Sequence, residues 1–217
     1  LTTIGTLGSQ MCIDAQDIVE FTKTVAEFSA ATGIDASTSA TGIARIVQLL
    51  PDLKGNYSGL ASAILKTGVN SIATEAQILQ STHNIASVGR VAGLSATQIV
   101  ALSSGMSSLG ITSELQRSTV TQSFTKILTA VDEGTDSAAK FGSVLGLTGK
   151  QFQDAWGKDP YSVFLKLTDA IASSSNGVQI LGDLGLATQR LTPTILKIGQ
   201  NTSVFAAALK DTQTGLI

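Results

Sequence analysis

Apolar residues recur every three or four positions along most of the chain, which places them on one face of an α-helix. The clearest stripe consists of Val120, Phe124, Ile127, Leu128 and Val131. Comparable stripes occur at Phe21/Val25/Phe28, Ile43/Ile46/Val47/Leu50, Tyr57/Leu60/Ala61/Ile64/Leu65, Ile99/Leu102/Met106/Leu109 and Phe164/Leu167/Ile171. No segment alternates apolar and polar residues long enough to predict a half-buried strand. The pattern therefore predicts an all-α fold without significant sheet.

The boundaries between these helices share a local sequence pattern, in which a glycine is followed by a capping residue. Gly93 can end one helix in the left-handed conformation, and Ser95 with Gln98 then predicts a capping box at the start of the next. The same arrangement occurs with Thr148 after Gly146, and Thr74 with Gln77 predicts a further box. Weaker versions of the pattern start at Gly33 and Gly110. Hydrophobic staples are expected at Leu94–Ile99 and Leu147–Phe152. Two further helices are expected to start at Asp159-Pro160 and Thr192-Pro193, where a capping residue precedes proline. We expect several short capped helices, stacked in antiparallel pairs and joined by Gly-rich turns.

These boundaries divide the chain into regions. Four glycines between 142 and 157 make the segment around residues 140–160 the candidate for an internal joint, and 173–177 is an exposed loop. The expected regions are a lead-in helix or linker at 1–20, a helical core at 21–140, a Gly-rich joint with a short helix at 141–158, a C-terminal helical part at 159–210, and a linker at 211–217. Because the sequence starts at Leu1, we expect it to belong to a longer parent chain.

Composition excludes several classes of protein. Charged residues make up 14% of the chain and the formal net charge is −2, so no basic nucleic-acid surface is expected. The 24 Ser and 26 Thr residues predict a surface rich in hydroxyl groups rather than in charges. A single Cys and a single His exclude an internal disulfide and a Cys/His zinc site. We expect Cys12 to be a small buried apolar residue.

The residues that catalysis would need are scarce. His83 is the only imidazole, no acid lies near it in the sequence, and the chain has no Gly-x-Ser-x-Gly motif, so we expect a partly exposed helix histidine. The carboxylate pairs Glu20/Glu27 and Asp132/Glu133 lie at helical spacing or in turns, where solvated charge is the ordinary role. These patterns predict no catalytic residue.

Binding motifs for cofactors are equally weak. Gly149-Lys150-Gln151 lacks the Ser or Thr that completes a phosphate-binding loop. Trp156 is expected to anchor the core rather than to stack on a ligand. The sequence therefore predicts no cofactor, no cofactor-binding residue and no metal ligand.

One segment is long and uncharged enough to be considered as a membrane-spanning helix. Val91 to Ser113 contains 23 residues without a charge, which is long enough to span a bilayer. Its six serines, Gln98 and the turn at Gly110 favour a buried helix of a soluble domain instead. The alternative is a membrane-active helical protein, either pore-forming or a secreted effector, that uses this segment as an insertion hairpin.

The order of several segments between about Val25 and Leu209 resembles the core region of phage tail tape measure proteins of the minor tail protein type. The similarity is carried by AEFSAATGIDAS at 26–37, GLSATQIVALSSGMSSLGI at 93–111 and FTKILTAVDEGTDSAAKFGSVLGLTGKQFQDAW at 124–156. It continues through DPYSVFLKLTDAIA at 159–172 and LGDLGLATQRLTPTILKIG at 181–199. No catalytic residue carries over from this region, so the resemblance implies that the chain is not an enzyme, and a muralytic enzyme is disfavoured.

The resemblance implies a structural role in the virion. The segment would occupy the lumen or tip of the tail, help to set tail length during assembly in the host cytoplasm, and be released during DNA ejection. The implied partners are the tail tube protein, tail-tip or baseplate proteins and tail assembly chaperones, with DNA nearby but not specifically bound. Contact with the host membrane during ejection is also implied. Because tail tips have threefold or sixfold symmetry, we expect a homo-oligomer and favour a trimer.

Overall fold

The computed structural model describes residues 2–11 and 13–216, and 79% of the chain is helical. Within the described part there are thirteen α-helices and no strand, which confirms the all-α prediction. The first six helices are α1 (Thr2–Gln10), α2 (Ile18–Thr32), α3 (Ala36–Leu49), α4 (Tyr57–Val69), α5 (Glu75–Val91) and α6 (Ala96–Ser108), with a 3₁₀ turn at Pro51–Leu53 after α3. The other seven are α7 (Ser113–Glu133), α8 (Thr135–Val144), α9 (Gly149–Lys158), α10 (Pro160–Ser173), α11 (Gly177–Asp183), α12 (Leu191–Gly199) and α13 (Thr202–Gly215).

Most helices begin where the capping pattern predicts. Thr74, Ser95 and Thr148 each form a complete capping box, in which the side chain of the cap and that of the Gln three residues later both bond to the backbone. Asp35 and Asp159 each accept a hydrogen bond from the backbone N–H three residues later. The turn glycines Gly33, Gly93, Gly110 and Gly146 all adopt positive φ, from 68° to 89°. Local sequence therefore defines these helix boundaries.

One predicted boundary is wrong, and one predicted cap lacks its hydrogen bond. Helix α12 begins at Leu191, so Thr192 lies inside the first turn and does not cap it. The Leu191 N–H instead bonds to the hydroxyl of Thr188 at 3.0 Å. Pro193 is tolerated there because N–H groups in the first helical turn have no intrahelical partner. At the start of α7, Thr112 occupies the capping position but its side chain forms no capping hydrogen bond.

The C-terminal segment that we expected to be a linker continues α13 as far as Gly215. Thr212 is buried, and its hydroxyl donates to the carbonyl of Ala208 at 2.8 Å. Asn56 at the start of α4 donates its side-chain amide to the Leu216 carbonyl at 3.2 Å, and Asn70 at the end of α4 donates to Asp211 at 3.0 Å. These two bonds show that α13 lies antiparallel to α4. The division of the chain into five regions stays a prediction.

Helix α6 lies at the centre of the molecule and packs against α4, α5, α7 and α13. Ile99, Leu102 and Met106 are fully buried, and Leu109 is half-buried. Burial is not confined to this stripe, since every residue from Ile99 to Ser107 is buried. The expected buried helix is confirmed, and the structure covers the polar side of α6 as well as its apolar stripe.

Aromatic side chains are concentrated where α7, α8, α9 and α10 meet. Phe124 makes edge-to-face contacts with Trp156 and Phe164, with ring centroids 5.6 and 5.0 Å apart. Phe152 stacks on Phe141 at 5.9 Å and on Trp156 at 6.3 Å. Contacts of this kind add stability beyond the burial of area. Trp156 is only 3% exposed, which confirms its predicted role as a core anchor.

The predicted Gly-rich joint is closely packed in the folded chain. A methyl group at Gly149 would lie 1.8 Å from the backbone carbonyl oxygen of Thr135, and one at Gly142 would lie 2.7 Å from that of Leu147. The backbones of α8 and α9 approach so closely only because both positions lack a side chain. In the folded chain, Gly142 and Gly149 therefore allow close contact between two helices.

Candidate interaction surfaces

Hydroxyl groups line the interface between α5, α6 and α7, a region we call the polar seam. Thr82 on α5 bonds to Ser103 on α6, with 2.6 Å between the two hydroxyl oxygens. Ser107 on α6 donates to Ser81 on α5 at 3.4 Å. Gln116 on α7 donates to the Ser107 hydroxyl at 2.9 Å and to a backbone carbonyl at 2.8 Å. All five residues are buried, so polar bonds run through the centre of the fold.

Several polar atoms near this seam have no hydrogen-bond partner within the described part of the chain. They are the hydroxyls of Thr119 and Ser123 and the side-chain carbonyl of Gln116. Burying a hydroxyl without a partner costs free energy, on the order of 1–3 kcal/mol from mutational data. The seam consequently stabilises the fold less than an apolar interface of the same size would.

A polar groove runs along the exposed side of α5, between α3 and α7. Gln80 lines three hollows there, with volumes of about 260, 380 and 570 Å³. His83 and Arg45 line the part towards α3, and Glu114 and Arg117 line the part towards α7. The remaining lining is dominated by hydroxyl and amide side chains. The groove offers many neutral hydrogen-bonding groups and few charges.

A more apolar hollow, which we call the α4–α6–α13 cleft, lies on another part of the surface. Its volume is about 320 Å³, and Ile72, Leu109, Val204 and Ala208 line its walls. Asp211 lies at the same site. The apolar walls and single carboxylate make it chemically distinct from the α5 groove.

The candidate catalytic residues do not form a common site. His83 is half-buried on α5, as predicted, and the hollow towards α3 that it lines contains no Asp or Glu among its lining residues. Glu20 and Glu27 are exposed and seven residues apart on α2, a separation of about 10 Å along the helix axis. Glu27 forms an ion pair with Lys23 at 3.8 Å. In the second pair, Glu133 accepts a hydrogen bond from Ser137 at 2.8 Å, and Asp132 is exposed. These contacts are those of solvated surface charges.

No group of three or more His, Cys, Asp or Glu side chains suited to a metal ion occurs in the described residues. Cys12 lies outside the described residues, so its predicted burial is not tested. Gly149 is buried against Thr135 at the start of α9, which leaves no open Gly-rich loop at Gly149-Lys150-Gln151. None of these positions forms a recognisable cofactor site.

The shifted pKa values have structural causes. Burial, together with the nearby Asp159 carboxylate, raises the pKa of Tyr161 well above its ordinary value. The Tyr161 hydroxyl donates to the backbone carbonyl of Phe205 at 2.9 Å, which fixes α10 against α13. The hydrogen bond from Lys54 to Asp14, 2.8 Å long, raises the pKa of that lysine. Neither group lies in the groove or the cleft.

The uncharged segment Val91–Ser113 is divided among three helices. It contains the last residue of α5, the whole of α6 and the first residue of α7, with turns between them. Within residues 2–11 and 13–216, no helix combines the length and apolar character needed to cross a membrane. The segment on which a membrane-active role would depend is an interior helix of the folded chain.

Sequence reasoning missed both the polar seam and the cleft. A signal for the seam exists, since Ser103/Ser107 and Thr119/Ser123 are each four residues apart and so share a helix face. The hydroxyl-rich composition was instead assigned to the surface. The cleft has no comparable signal, because its walls come from three helices that are distant in the sequence.

The family model described as phage-related minor tail protein matches residues 2–187. No curated protein and no solved structure gives a match. The match spans most of the chain and overlaps the segments that resemble the tape measure core. The chain therefore belongs to the phage-related minor tail protein family and has a structural role in a phage tail.

Proposed function

We propose that this chain is the core segment of a tape measure protein, which occupies the lumen or tip of the tail tube. It helps to set tail length during assembly in the host cytoplasm and is released during DNA ejection. The observation that carries the proposal is the ordered series of tape-measure-like segments between 25 and 209, which overlaps the family match over residues 2–187. A segment of this size contributes to the parent chain and is not the ruler by itself.

The surface chemistry suits a protein that shares a channel with DNA. Each cation placed against a phosphate adds salt-dependent affinity, and a strongly basic protein would hold the DNA back. The chain has 14 Lys and Arg residues against 16 Asp and Glu residues, and the α5 groove is lined mainly by neutral groups. DNA can therefore lie nearby without specific binding.

The polar seam supports release during ejection. When α5, α6 and α7 separate, the hydroxyls of Thr82, Ser103 and Ser107 exchange their partners for water, and the unpaired hydroxyls of Thr119 and Ser123 gain one. Separating an apolar interface of equal area would expose more hydrocarbon to water. We propose that these polar contacts lower the cost of opening the centre of the fold during passage through the tube.

The proposed role involves no catalysis and no cofactor. The candidate acids lie on the surface, and no carboxylate lines the hollow that contains His83. We propose that the partners are the tail tube protein, the tail-tip or baseplate proteins and the tail assembly chaperones. Contact with the host membrane belongs to the ejection step. A homo-oligomer on the tail axis, with a trimer favoured, matches the symmetry of the tail.

Protease protection tests the proposed location. Intact tails that carry the parent protein are treated with protease, and the experiment is repeated after ejection has been triggered. We expect fragments from residues 1–217 to be protected in intact tails, because the tube wall encloses them, and to be cleaved or released into the medium after ejection. An external tail protein in the same sample serves as the control for protease activity.

A photoreactive amino acid at an exposed position identifies the neighbours in the same tails. Val178 is 59% exposed, and Val19 is 78% exposed in another part of the chain. Crosslinks from either position to the tube protein would support a lumenal location. Cleavage of the segment in intact tails, with crosslinks only to external proteins, would refute the proposal.

A further inference from the structure

Apolar residues form part of the lining of the α4–α6–α13 cleft, and one of them, Ile72, is unusually exposed. Val69 and Ile72, at and just after the end of α4, are 78% and 91% exposed. Ile72 lines the cleft together with Leu109 and Val204. Large apolar side chains that are this exposed mark binding surfaces when they surround a hollow.

An unpaired hydroxyl lies inside the cleft. Ser104, on the central helix α6, lines the hollow, is only 1% exposed, and its hydroxyl has no hydrogen-bond partner. Its neighbours Ser103 and Ser108 each bond to a backbone carbonyl of α6. Because an unsatisfied buried hydroxyl costs free energy, a ligand that supplies a hydrogen-bonding group there gains affinity.

The electrostatics of the cleft favour a cation. Helices α4 and α6 both end at its edge, at Val69 and Ser108, and the C-terminal end of a helix carries a partial negative charge. Asp211 adds a full negative charge on α13. This carboxylate accepts one hydrogen bond from Asn70 and forms no ion pair within the described part of the chain.

Another surface of the chain carries an exposed apolar side chain next to a cation, which would complement the apolar residues and the carboxylate of the cleft. In the described residues, the exposed large apolar side chains are Val19, Val69, Ile72, Val91 and Val178. Of these five, only Val91 stands next to a basic residue, Arg90. Val91 is 72% exposed, and the Arg90 guanidinium donates a long hydrogen bond of 3.5 Å to the carbonyl of Leu49. An apolar side chain beside a weakly held cation fits an apolar cleft beside a carboxylate.

We propose that the α4–α6–α13 cleft binds the Arg90–Val91 corner of a second copy of this chain. Val91 packs against Ile72 and Val204 of the receiving copy, and Arg90 pairs with Asp211. The backbone or side chain of the inserted corner bonds to the Ser104 hydroxyl. The two surfaces lie on different parts of the molecule, so the contact is head-to-tail, and repetition gives a ring if the rotation closes. The proposal concerns self-association of the chain and does not depend on its location in the tail.

Sedimentation velocity over a broad concentration range, up to about 1 mM, tests this contact. A contact of this small size is transient, so we expect self-association with a Kd on the order of 0.1 mM. Arg90→Glu and Asp211→Lys should each weaken association at least about tenfold, because each places like charges together. The double variant Arg90→Glu/Asp211→Lys should recover association. Arg117→Glu and Asp136→Lys make the same charge changes at other exposed positions and should have little effect.

The Ser104→Ala variant separates binding from folding. It should weaken association by about threefold to tenfold, because a hydrogen bond to the partner is lost, without lowering the melting temperature of the monomer. Three results would each overturn the proposal: a wild-type chain that stays monomeric, single charge reversals that leave association unchanged, or a double variant that fails to recover. Such a failure would leave the protease and crosslinking results in tails unaffected.

Discussion

Replacing Gly149 by alanine tests whether the segment 141–158 is a loose joint or a packed contact. Gly149 is the first residue of α9 and is buried against the first residue of α8. An added Cβ would lie 1.8 Å from the carbonyl oxygen of Thr135, 2.7 Å from its carbonyl carbon and 3.0 Å from its Cα. All three are backbone atoms, so a change of side-chain rotamer cannot relieve the clash.

The structure sets the size of the effect. Carbon and oxygen atoms in close contact lie about 3.3–3.6 Å apart, so the start of α8 must move by about 1.5 Å. That movement also disturbs the stack of Phe141 on Phe152, whose centroids are 5.9 Å apart. Overpacking of a core typically costs about 1–3 kcal/mol, and a clash with backbone belongs at the upper end. We expect Gly149→Ala to cost about 2–3 kcal/mol and to lower Tm by roughly 4–12 °C.

Gly157→Ala in the same helix is the matched control. Gly157 is exposed, and a Cβ there would meet no atom within 4 Å. This substitution should leave Tm unchanged or raise it by up to roughly 4 °C, because alanine favours the helix by up to about 1 kcal/mol. Thermal unfolding followed by circular dichroism measures both variants. A Gly149→Ala chain as stable as Gly157→Ala would show that α8 and α9 separate easily, and would refute the packed contact.

Three further predictions concern other parts of the fold. Ser95→Ala and Thr148→Ala should each cost about 0.5–2 kcal/mol in chemical denaturation, and unchanged midpoints in both would contradict the helix boundaries. Leu102→Lys places an unpaired charge at a fully buried position and should cost several kcal/mol or prevent folding. In tails it should impair DNA delivery more than tail length, and normal delivery would contradict the central role of α6. Thr119→Val removes an unpaired buried hydroxyl and should raise the free energy of unfolding by up to about 1 kcal/mol. Thr82→Val removes the hydrogen bond to Ser103 and should lower it by a similar amount. Equal effects of the two substitutions would contradict the hydrogen-bond assignment.

The helices and most of their ends were predictable because they depend on near neighbours. A capping box joins residues three apart, as in Ser95 with Gln98, and an apolar stripe joins residues three or four apart. The error at Thr192 arose because proline is compatible with several positions of the first turn. The helical continuation through Thr212 was missed because its polar and glycine-rich sequence suggested a linker, while burial against α4 stabilises the helix.

The candidate surfaces were not predictable in the same way. The polar seam leaves a weak trace in the spacing of Ser103 and Ser107, but nothing local shows that this helix face is buried. The cleft requires α13 to lie beside α4, a pairing fixed by contacts such as that between Asn56 and Leu216, which are 160 residues apart.

The sequence by itself thus determined the all-helical class, the capped helix starts and the absence of an evident catalytic motif, since each depends on residue type and local spacing. The tertiary structure decided that α6 is enclosed on every side, that Gly149 touches the backbone of Thr135, and that Ser104 lies in a cleft beside Asp211. These features depend on the packing of helices that are distant in the chain. A helical pattern specifies which face is apolar, but not which neighbour covers it.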